Sequence, residues 1–97
     1  MALMIALHQS VIASPEHVAC DLDDETVILS LKTGEYYGLN PVAAAVWRMI
    51  HVRRSVAAVR DGLMNEFTGV TQDQCEEELV KLLNELEGLG LVTISSP

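Results

Sequence analysis

The spacing of apolar residues changes once along this chain, at Asn40, and this change limits the possible folds more than any other feature. Before Asn40, short runs rich in β-branched residues are separated by turn residues, a pattern typical of strands. After Asn40, apolar residues recur at helical spacing, as expected for helices that bury one face. With 97 residues, the chain has room for one hydrophobic core. The order of the two patterns therefore predicts one α+β domain.

Three strands are predicted before the change of pattern, and they cover residues 17–22, 26–32 and 35–39. An acidic turn, residues 23–25, separates the first two strands, and a turn at Thr33 and Gly34 separates the last two. Connections this short join neighbouring antiparallel strands. The sequence therefore predicts a three-stranded antiparallel meander.

The side chains of the predicted sheet alternate between its two faces. We expect one face to carry Val27, Leu29, Leu31, Tyr37 and Leu39. The other face then carries Ile28, Ser30 and Tyr36. A sheet of this size needs a covering layer, which the following helices would supply.

Three helices are predicted next, and each begins with a recognisable cap. Asn40 precedes a proline, Ser55 caps the second helix, and Thr71 opens a capping box with Gln74. The predicted helices cover residues 41–51, 56–67 and 72–87. Two glycines then stop the third helix, and residues 91–94 are predicted to form an extended tail.

The predicted domain covers residues 17–94 and follows an amino-terminal arm of residues 1–16. A small antiparallel sheet followed by three helices is the arrangement of a winged helix-turn-helix domain. Such domains often place the third helix on DNA, but here that helix carries Glu76, Glu77, Glu78, Glu85 and Glu87. The net charge of the chain, −8, also repels phosphate. We therefore expect no nucleic-acid partner.

Residues with catalytic or metal-binding chemistry do not cluster along the sequence. Cys20 and Cys75 are far apart, and the three histidines lack the spacing of metal ligands. We expect no catalytic residue, no metal and no cofactor. The apolar start of the chain lacks the basic residues of a signal peptide and is shorter than a membrane span. These features favour a cytoplasmic protein with no membrane partner.

Two features indicate a docking site. The third predicted strand lies at the edge of its sheet, where unpaired backbone groups accept a further strand. In the third helix, Val80 lies about 100° from the core residue Leu79 among acidic side chains, as at the rim of a groove. The alternatives are that the amino-terminal arm covers the edge while Tyr36 and Tyr37 cap the core, and that Val80 is an isolated surface valine.

The run from Asp24 to Asn40 resembles the PqqD-like family of peptide-recognition elements. Ala44 and Trp47 in the first helix and the Glu-Glu-Leu-x-x-Leu-Leu-x-x-Leu pattern from Glu77 extend the similarity to residues 17–92. This resemblance implies a small winged-helix-like domain, not itself an enzyme. Members capture the leader segment of a ribosomally made precursor peptide and present its core to tailoring enzymes.

Within that family, the stand-alone length, the arm and the Leu39-Asn-Pro sequence are most similar to the leader-binding proteins of lasso-peptide biosynthesis. This similarity implies a precursor leader peptide, a transglutaminase-like leader peptidase and a downstream cyclase as partners. Two alternatives remain open. One is a PqqD-type chaperone for a radical tailoring enzyme, and the other is an acidic winged-helix transcription regulator.

The leader is expected to add as an antiparallel strand beside residues 35–39 and to lie in a groove against the third helix. Apolar leader residues would contact the apolar side chains, while glutamates at the rim would attract basic ones. The predicted leader-binding residues are Glu35, Tyr36, Tyr37, Gly38, Leu39, Glu76, Val80, Leu83, Asn84 and Glu87.

Overall fold

The computed structural model of the protein describes residues 5–22 and 25–96. The predicted turn at Asp23 and Asp24 and the first four residues of the predicted arm lie outside these ranges. In chain order the elements are β1 (Ser10–Ala13), β2 (His17–Leu22), β3 (Glu25–Ser30), β4 (Tyr36–Leu39), α1 (Pro41–Met49), β5 (Arg54–Ser55), α2 (Val56–Glu66), α3 (Gln72–Gly88) and β6 (Val92–Ser95). The predicted α+β fold, a three-stranded antiparallel sheet followed by three helices, is confirmed.

Each helix begins at the cap predicted from the sequence. Asn40 Oδ1 accepts a hydrogen bond from the N–H of Ala43 at 2.8 Å, and Ser55 Oγ accepts one from Ala58 at 3.0 Å. Thr71 begins α3 with a complete capping box. These side chains satisfy N–H groups that have no partner inside the helix, and so they fix where each helix starts.

Strands β2, β3 and β4 form the predicted meander in that order. The faces predicted for β4 are wrong, since the register pairs Tyr37 with Ile28 and Tyr36 with Leu29. Directly paired residues share a face of the sheet. Tyr37 and Leu39 therefore lie on the inner face with Ile28, and both Leu39 and Ile28 are buried in the core. Their predicted neighbours belong by alternation to the opposite face: Val27, Leu29 and Leu31.

The turn between β3 and β4 explains this difference. The Gly34 N–H donates to the Ser30 carbonyl at 2.8 Å, and Gly34 has a φ of 75°, which glycine adopts without steric cost. Strand β3 therefore ends at Ser30 rather than at Lys32. Ser30 is buried, and its hydroxyl donates to the Leu89 carbonyl at 2.7 Å. A one-residue change of register moves every side chain of a strand to the other face.

A second sheet joins the two ends of the described chain, in the strand order β5-β1-β6. Residues 92–94 of the predicted extended tail are extended, but they are part of a sheet and not a free tail, because β6 is hydrogen-bonded to β1 and both Leu91 and Val92 are buried. Residues 10–13 of the predicted arm are the central strand of this sheet, and Val11 is fully buried. The described part of the arm therefore packs as part of the domain.

One hydrophobic core connects the three helices with both sheets. Helix α3 contributes a buried stripe consisting of Cys75, Leu79, Leu83 and Leu86. Trp47 of α1 is also buried, and its ring packs edge-on against His17 of β2 with centroids 4.9 Å apart. Burial of one stripe fixes the rotation of α3 about its own axis. One flank of α3 consequently lies beside β4.

Candidate functional site

A cleft with a volume of about 350 Å³ opens between β4 and α3. We call it the β4–α3 cleft and define it by the residues that line it: Tyr37, Gly38, Asn40, Val42, Ala43, Glu78, Lys81, Leu82 and Glu85. They come from β4, from the start of α1 and from one flank of α3. The cap at Asn40 turns the chain directly from β4 into α1, so adjacent residues of both elements line the cleft.

The outer edge of β4 is free within the described residues. Strand β4 pairs with β3 alone, and the part of the amino-terminal arm that forms β1 pairs in the other sheet. The described arm therefore does not cover this edge. The Ser30 N–H donates to the Glu35 carbonyl at 2.9 Å, and hydrogen-bonded and non-bonded pairs alternate along an antiparallel ladder. By this alternation, the backbone groups of Tyr36 and Gly38 point to the free edge.

A hydrogen bond between Tyr37 and Glu85 links β4 to α3 beside the cleft. The Tyr37 hydroxyl donates to Glu85 Oε2 at 2.6 Å. Burial, and then the hydrogen bond and the negative charge of Glu85, raise the pKa of Tyr37 to about 12. The tyrosine therefore stays protonated and remains a donor throughout the physiological pH range.

The charges in the cleft come from α3. Glu78 lies three residues before Lys81 and four before Leu82, and Glu85 follows these two by four and three residues, so the side chains form a continuous stripe along the helix. The walls thus combine two carboxylates and one ammonium group with the apolar side chains Val42, Ala43 and Leu82. Such a surface can hold an apolar side chain and pair with charged groups at its rim.

A smaller apolar pocket of about 40 Å³ adjoins the cleft. The two cavities share Val42 and Glu78. The other lining residues of the smaller pocket come from α2, from the turn before α3 and from α3 itself: Leu63, Met64, Phe67, Val70, Cys75 and Leu79. The shared residues make this pocket an extension of the cleft toward the turn between α2 and α3.

The five leader-binding residues predicted at the third strand, residues 35–39, lie in different environments in the structure. Tyr37 and Gly38 line the β4–α3 cleft. Leu39 is buried in the core. Tyr36 has 71% of its surface exposed and lies on the opposite face of the sheet. Glu35 is exposed in the turn before β4, where its carbonyl bonds Ser30.

The five residues predicted from the third helix do not line the cleft. Glu76 forms an ion pair with Arg60 of α2 at 3.1 Å, so this flank of α3 faces α2. Leu83 is fully buried, and Val80 packs partly buried against the core. Asn84 and Glu87 are exposed on the same flank as Glu76 and Val80.

The cleft instead uses the flank of α3 on the other side of the buried stripe. Relative to Leu79, residues 80, 76 and 87 lie on one side of the helical wheel, and residues 78, 82 and 85 lie on the other. Both flanks are acidic and both carry one half-buried apolar residue. The sequence signal that could have indicated this flank was Leu82, an apolar residue between Glu78 and Glu85. An apolar residue at this position is equally compatible with the core.

Within the described residues, the lining of the β4–α3 cleft contains no cysteine thiol and no histidine ring. Within residues 5–22 and 25–96 there is no group of three or more His, Cys, Asp or Glu side chains placed to hold a metal ion. The Cys75 thiol is buried, which raises its pKa, whereas the Cys20 thiol is exposed. In the same described part of the chain, no helix has the length and apolar composition needed to cross a bilayer.

The fold and the cleft define a winged helix-turn-helix domain with a free strand edge beside a groove, a combination that suits binding of an extended peptide. More particularly, the chain belongs to the PqqD family, since the model of coenzyme PQQ synthesis protein D (PqqD) matches residues 25–92. No curated protein sequence matches the chain significantly.

Two solved structures are similar to the chain over most of their length. TbiB1 in complex with the TbiA(beta) leader peptide is 28% identical, with a TM-score of 0.73 over 84% of this chain and 93% of that one. Lasso peptide synthetase B1 complexed with the leader peptide is 26% identical, with a TM-score of 0.72 over 86% of this chain and 96% of that one.

Proposed function

We propose that this protein is a non-catalytic recognition element that binds the leader segment of a ribosomally synthesised precursor peptide in lasso-peptide maturation. The observation that carries the proposal is the free β4 edge beside an open cleft. Both similar structures are complexes with leader peptides, and one of them is a lasso peptide synthetase B1, which supports assigning a leader peptide to this edge.

The leader adds to β4 as a fourth, antiparallel strand of the β2–β3–β4 sheet. The outward backbone groups of Tyr36 and Gly38 supply hydrogen bonds that do not depend on the leader sequence. Alternate leader side chains then point to the inner face, where Tyr37 and the cleft receive them. The predicted residues Glu35 to Leu39 thus contribute mainly the backbone of the edge strand. Specificity for the leader sequence comes from the side chains of the cleft.

The cleft selects leader side chains by polarity and charge. An apolar leader residue packs against Val42, Ala43 and Leu82, and a basic residue pairs with Glu78 or Glu85 at the rim. This set replaces the α3 residues expected from the sequence. Glu76, Val80, Leu83, Asn84 and Glu87 are assigned no direct contact, because they lie in the core or on the flank facing α2.

Chemistry on the peptide belongs to partner enzymes in this proposal. The protein holds the leader and so raises the concentration of the scissile region near a transglutaminase-like leader peptidase. A cyclase then acts on the released core peptide. The protein itself contributes binding and orientation only.

The test measures binding of fluorescently labelled leader peptide from the precursor encoded beside this protein's gene. We expect saturable binding of the leader, and no binding of the core segment of the same precursor, which serves as the control. The purified protein should also leave the full precursor uncleaved. Absence of leader binding would reject the proposed function, and cleavage by the rigorously purified protein would reject its non-catalytic role.

A further inference from the structure

Positive charge is concentrated in one part of this acidic chain. The sequence has 14 acidic residues and six Lys or Arg residues, yet residues 36–60 contain no acidic residue and four of the six basic ones. Arg60 of this segment is paired with Asp61 and Glu76. The other three arginines lie at the end of α1 and in the loop and strand that follow it. We call this surface the basic patch and define it as Arg48, His51, Val52, Arg53 and Arg54.

The five residues of the basic patch are all exposed. Val52 is 58% exposed and is one of the four large apolar residues exposed among the described residues. Arg48 has an acidic neighbour, Glu66 at 3.3 Å, but both side chains are exposed and such a pair is easily exchanged for another. Arginine is enriched at the energetically important positions of protein interfaces, and the centre of an interface is apolar. The basic patch has both features.

Two arginines of the basic patch are held in position without being neutralised. Arg53 Nη1 donates to Ser95 Oγ at 2.6 Å, and Arg54 Nε donates to the Met49 carbonyl at 2.6 Å. Both acceptors are uncharged, and neither arginine forms an ion pair within the described residues. A guanidinium group has five N–H donors, so most of these donors stay available. An anionic partner therefore meets side chains that are already partly ordered.

The basic patch lies outside the surface assigned to the leader. Helix α1 begins beside the cleft at Pro41 and ends at Met49, and its nine residues at about 1.5 Å each span about 14 Å. A leader strand antiparallel to β4 has its amino end beside Leu39 and its carboxyl end beside Tyr36. The carboxyl end, which leads to the core peptide, thus leaves the sheet at the end of β4 opposite to α1. A protein docked on the basic patch leaves the leader and its exit uncovered.

The charge distribution favours a protein partner over nucleic acid. A duplex is negative along its whole length, and the net charge of this chain, −8, repels it everywhere outside the basic patch. A protein surface needs to be acidic only where it meets the arginines, and it also supplies an apolar contact for Val52. The complementary surface is therefore a group of carboxylates around an apolar recess.

We propose that the basic patch is the docking site for an acidic surface of the enzyme that acts on the core peptide after its release, the cyclase of the proposed pathway. This inference rests on the proposed leader-binding function. An enzyme that receives the released core does not need access to the bound leader, and the basic patch leaves the β4 edge and the cleft open. Docking raises the concentration of the released core peptide near the cyclase.

The test measures the affinity of the cyclase from the same gene cluster for the immobilised protein by surface plasmon resonance. Arg53→Gln removes one charge of the basic patch, and Val52→Ala shortens its apolar side chain. Lys32→Gln is the matched control, because Lys32 is also an exposed cation but lies in the turn between β3 and β4. Each affinity is measured at low and at physiological ionic strength, and leader affinity is measured for every variant.

We expect the unaltered protein to bind the cyclase, and to bind it more weakly as salt increases, because exposed charges are screened. Arg53→Gln and Val52→Ala should each lower this affinity at least about fivefold, whereas Lys32→Gln should change it less than about twofold. Saturating leader should leave cyclase binding unchanged, and all three variants should bind leader normally. If Arg53→Gln does not fold by circular dichroism, Val52→Ala decides the question.

Equal cyclase affinity in the unaltered protein and both patch variants, or no cyclase binding at all, would overturn this inference while leader binding remains intact. Cyclase binding that leader abolishes would also overturn it. Binding that Arg53→Gln weakens for the leader peptidase, for a DNA duplex or, by light scattering, for a second copy of this chain, in place of the cyclase, would assign the basic patch to that occupant and overturn the inference. Failure of the unaltered protein to bind leader would reject the proposed function and, with it, this docking site.

Discussion

At the level of single residues, Tyr37 has two roles that depend on its position in β4. Its side chain lies on the inner face beside Ile28, and its hydroxyl reaches Glu85 of α3 across 48 residues of sequence. The bond joins the strand to the helix beside the cleft. Removing the hydroxyl should therefore lower the free energy of unfolding without changing the secondary structure.

Tyr37→Phe should lower the free energy of unfolding at pH 7 by about 0.5 kcal/mol, near the low end for a hydrogen bond because the pair is accessible to solvent. Urea denaturation followed by circular dichroism measures the change. Tyr36→Phe is the control, since Tyr36 is mostly exposed on the other face. An equal loss of stability in both variants would contradict the role assigned to the Tyr37 hydroxyl.

The same bond predicts a dependence of stability on pH. The pKa of Tyr37 is raised from its usual 10.0 to about 12 in the folded protein, so the folded state holds the proton more tightly. This contribution to stability is complete below pH 10 and is lost as the pH rises toward 12. The difference in stability between the unaltered protein and Tyr37→Phe should therefore shrink over this range. A difference that stays constant from pH 9 to 12 would contradict the assignment.

Leu82 and Val80 provide a matched test of which flank of α3 binds the leader. Both are half-buried apolar residues of the same helix, but Leu82 lines the cleft and Val80 does not. Leu82→Ala should speed leader dissociation about fivefold or more, because it truncates a side chain in the contact. Val80→Ala should leave dissociation unchanged. The opposite result, in variants that remain folded, would favour the groove expected from the sequence.

At the level of elements, β4 is a short strand with one free edge. Alternate residues of β4 have different roles, because some hold the strand in the domain and the others offer backbone groups to a peptide. Tyr37 and Leu39 hold the strand to β3 and to the core, while the backbone groups of Tyr36 and Gly38 face outward. Only the outward groups can bond an added strand. This separation makes it possible to remove a peptide contact without removing a bond of the existing sheet.

Gly38→Pro should weaken leader binding about tenfold, because it deletes an outward N–H donor from β4. Gly38→Ala is the matched control. A Cβ at either variant meets Glu25 Oε1 at 2.7 Å, but this atom is the end of a flexible side chain, and alanine keeps the N–H. Equal binding by the two folded variants would contradict strand addition at this edge. Circular dichroism establishes that each variant is folded.

At the level of the whole molecule, the second sheet ties the beginning of the described chain to its end. Strand β1 lies between β5 and β6, and its residue Val11 is fully buried in the core. The amino-terminal segment is therefore part of the cooperative unit that holds the helices and the cleft in place. Truncating a buried side chain of β1 should therefore lower the free energy of unfolding as much as truncating a buried side chain of a helix.

Val11→Ala should lower the free energy of unfolding by about 2 kcal/mol, since it removes buried carbon atoms and leaves a cavity. Val52→Ala is the control, and its effect should stay below about 0.5 kcal/mol because Val52 is mostly exposed. Urea denaturation measures both values. Equally small changes in the free energy of unfolding for both variants would mean that the segment around Val11 does not contribute to the stability of the domain.

The sequence alone determined the helices, the meander and the family. Caps at Asn40, Ser55 and Thr71 act through hydrogen bonds to N–H groups three residues away, so a contiguous stretch of sequence contains both partners. The family resemblance likewise rests on a nearly continuous motif, and the family match over residues 25–92 agrees with it. The free edge of the third strand also followed from the predicted order of strands.

Only the tertiary structure decided which faces meet. The register of β4 depends on a turn that begins at Ser30, and a shift of one residue exchanged its faces. The pairing of β1 with β6 joins segments from opposite ends of the chain, and neither segment carries a strong local signal. The two flanks of α3 are chemically alike, so composition did not distinguish them. Contacts between distant segments select the flank that faces β4, because burial of the Leu79 stripe fixes the rotation of the helix.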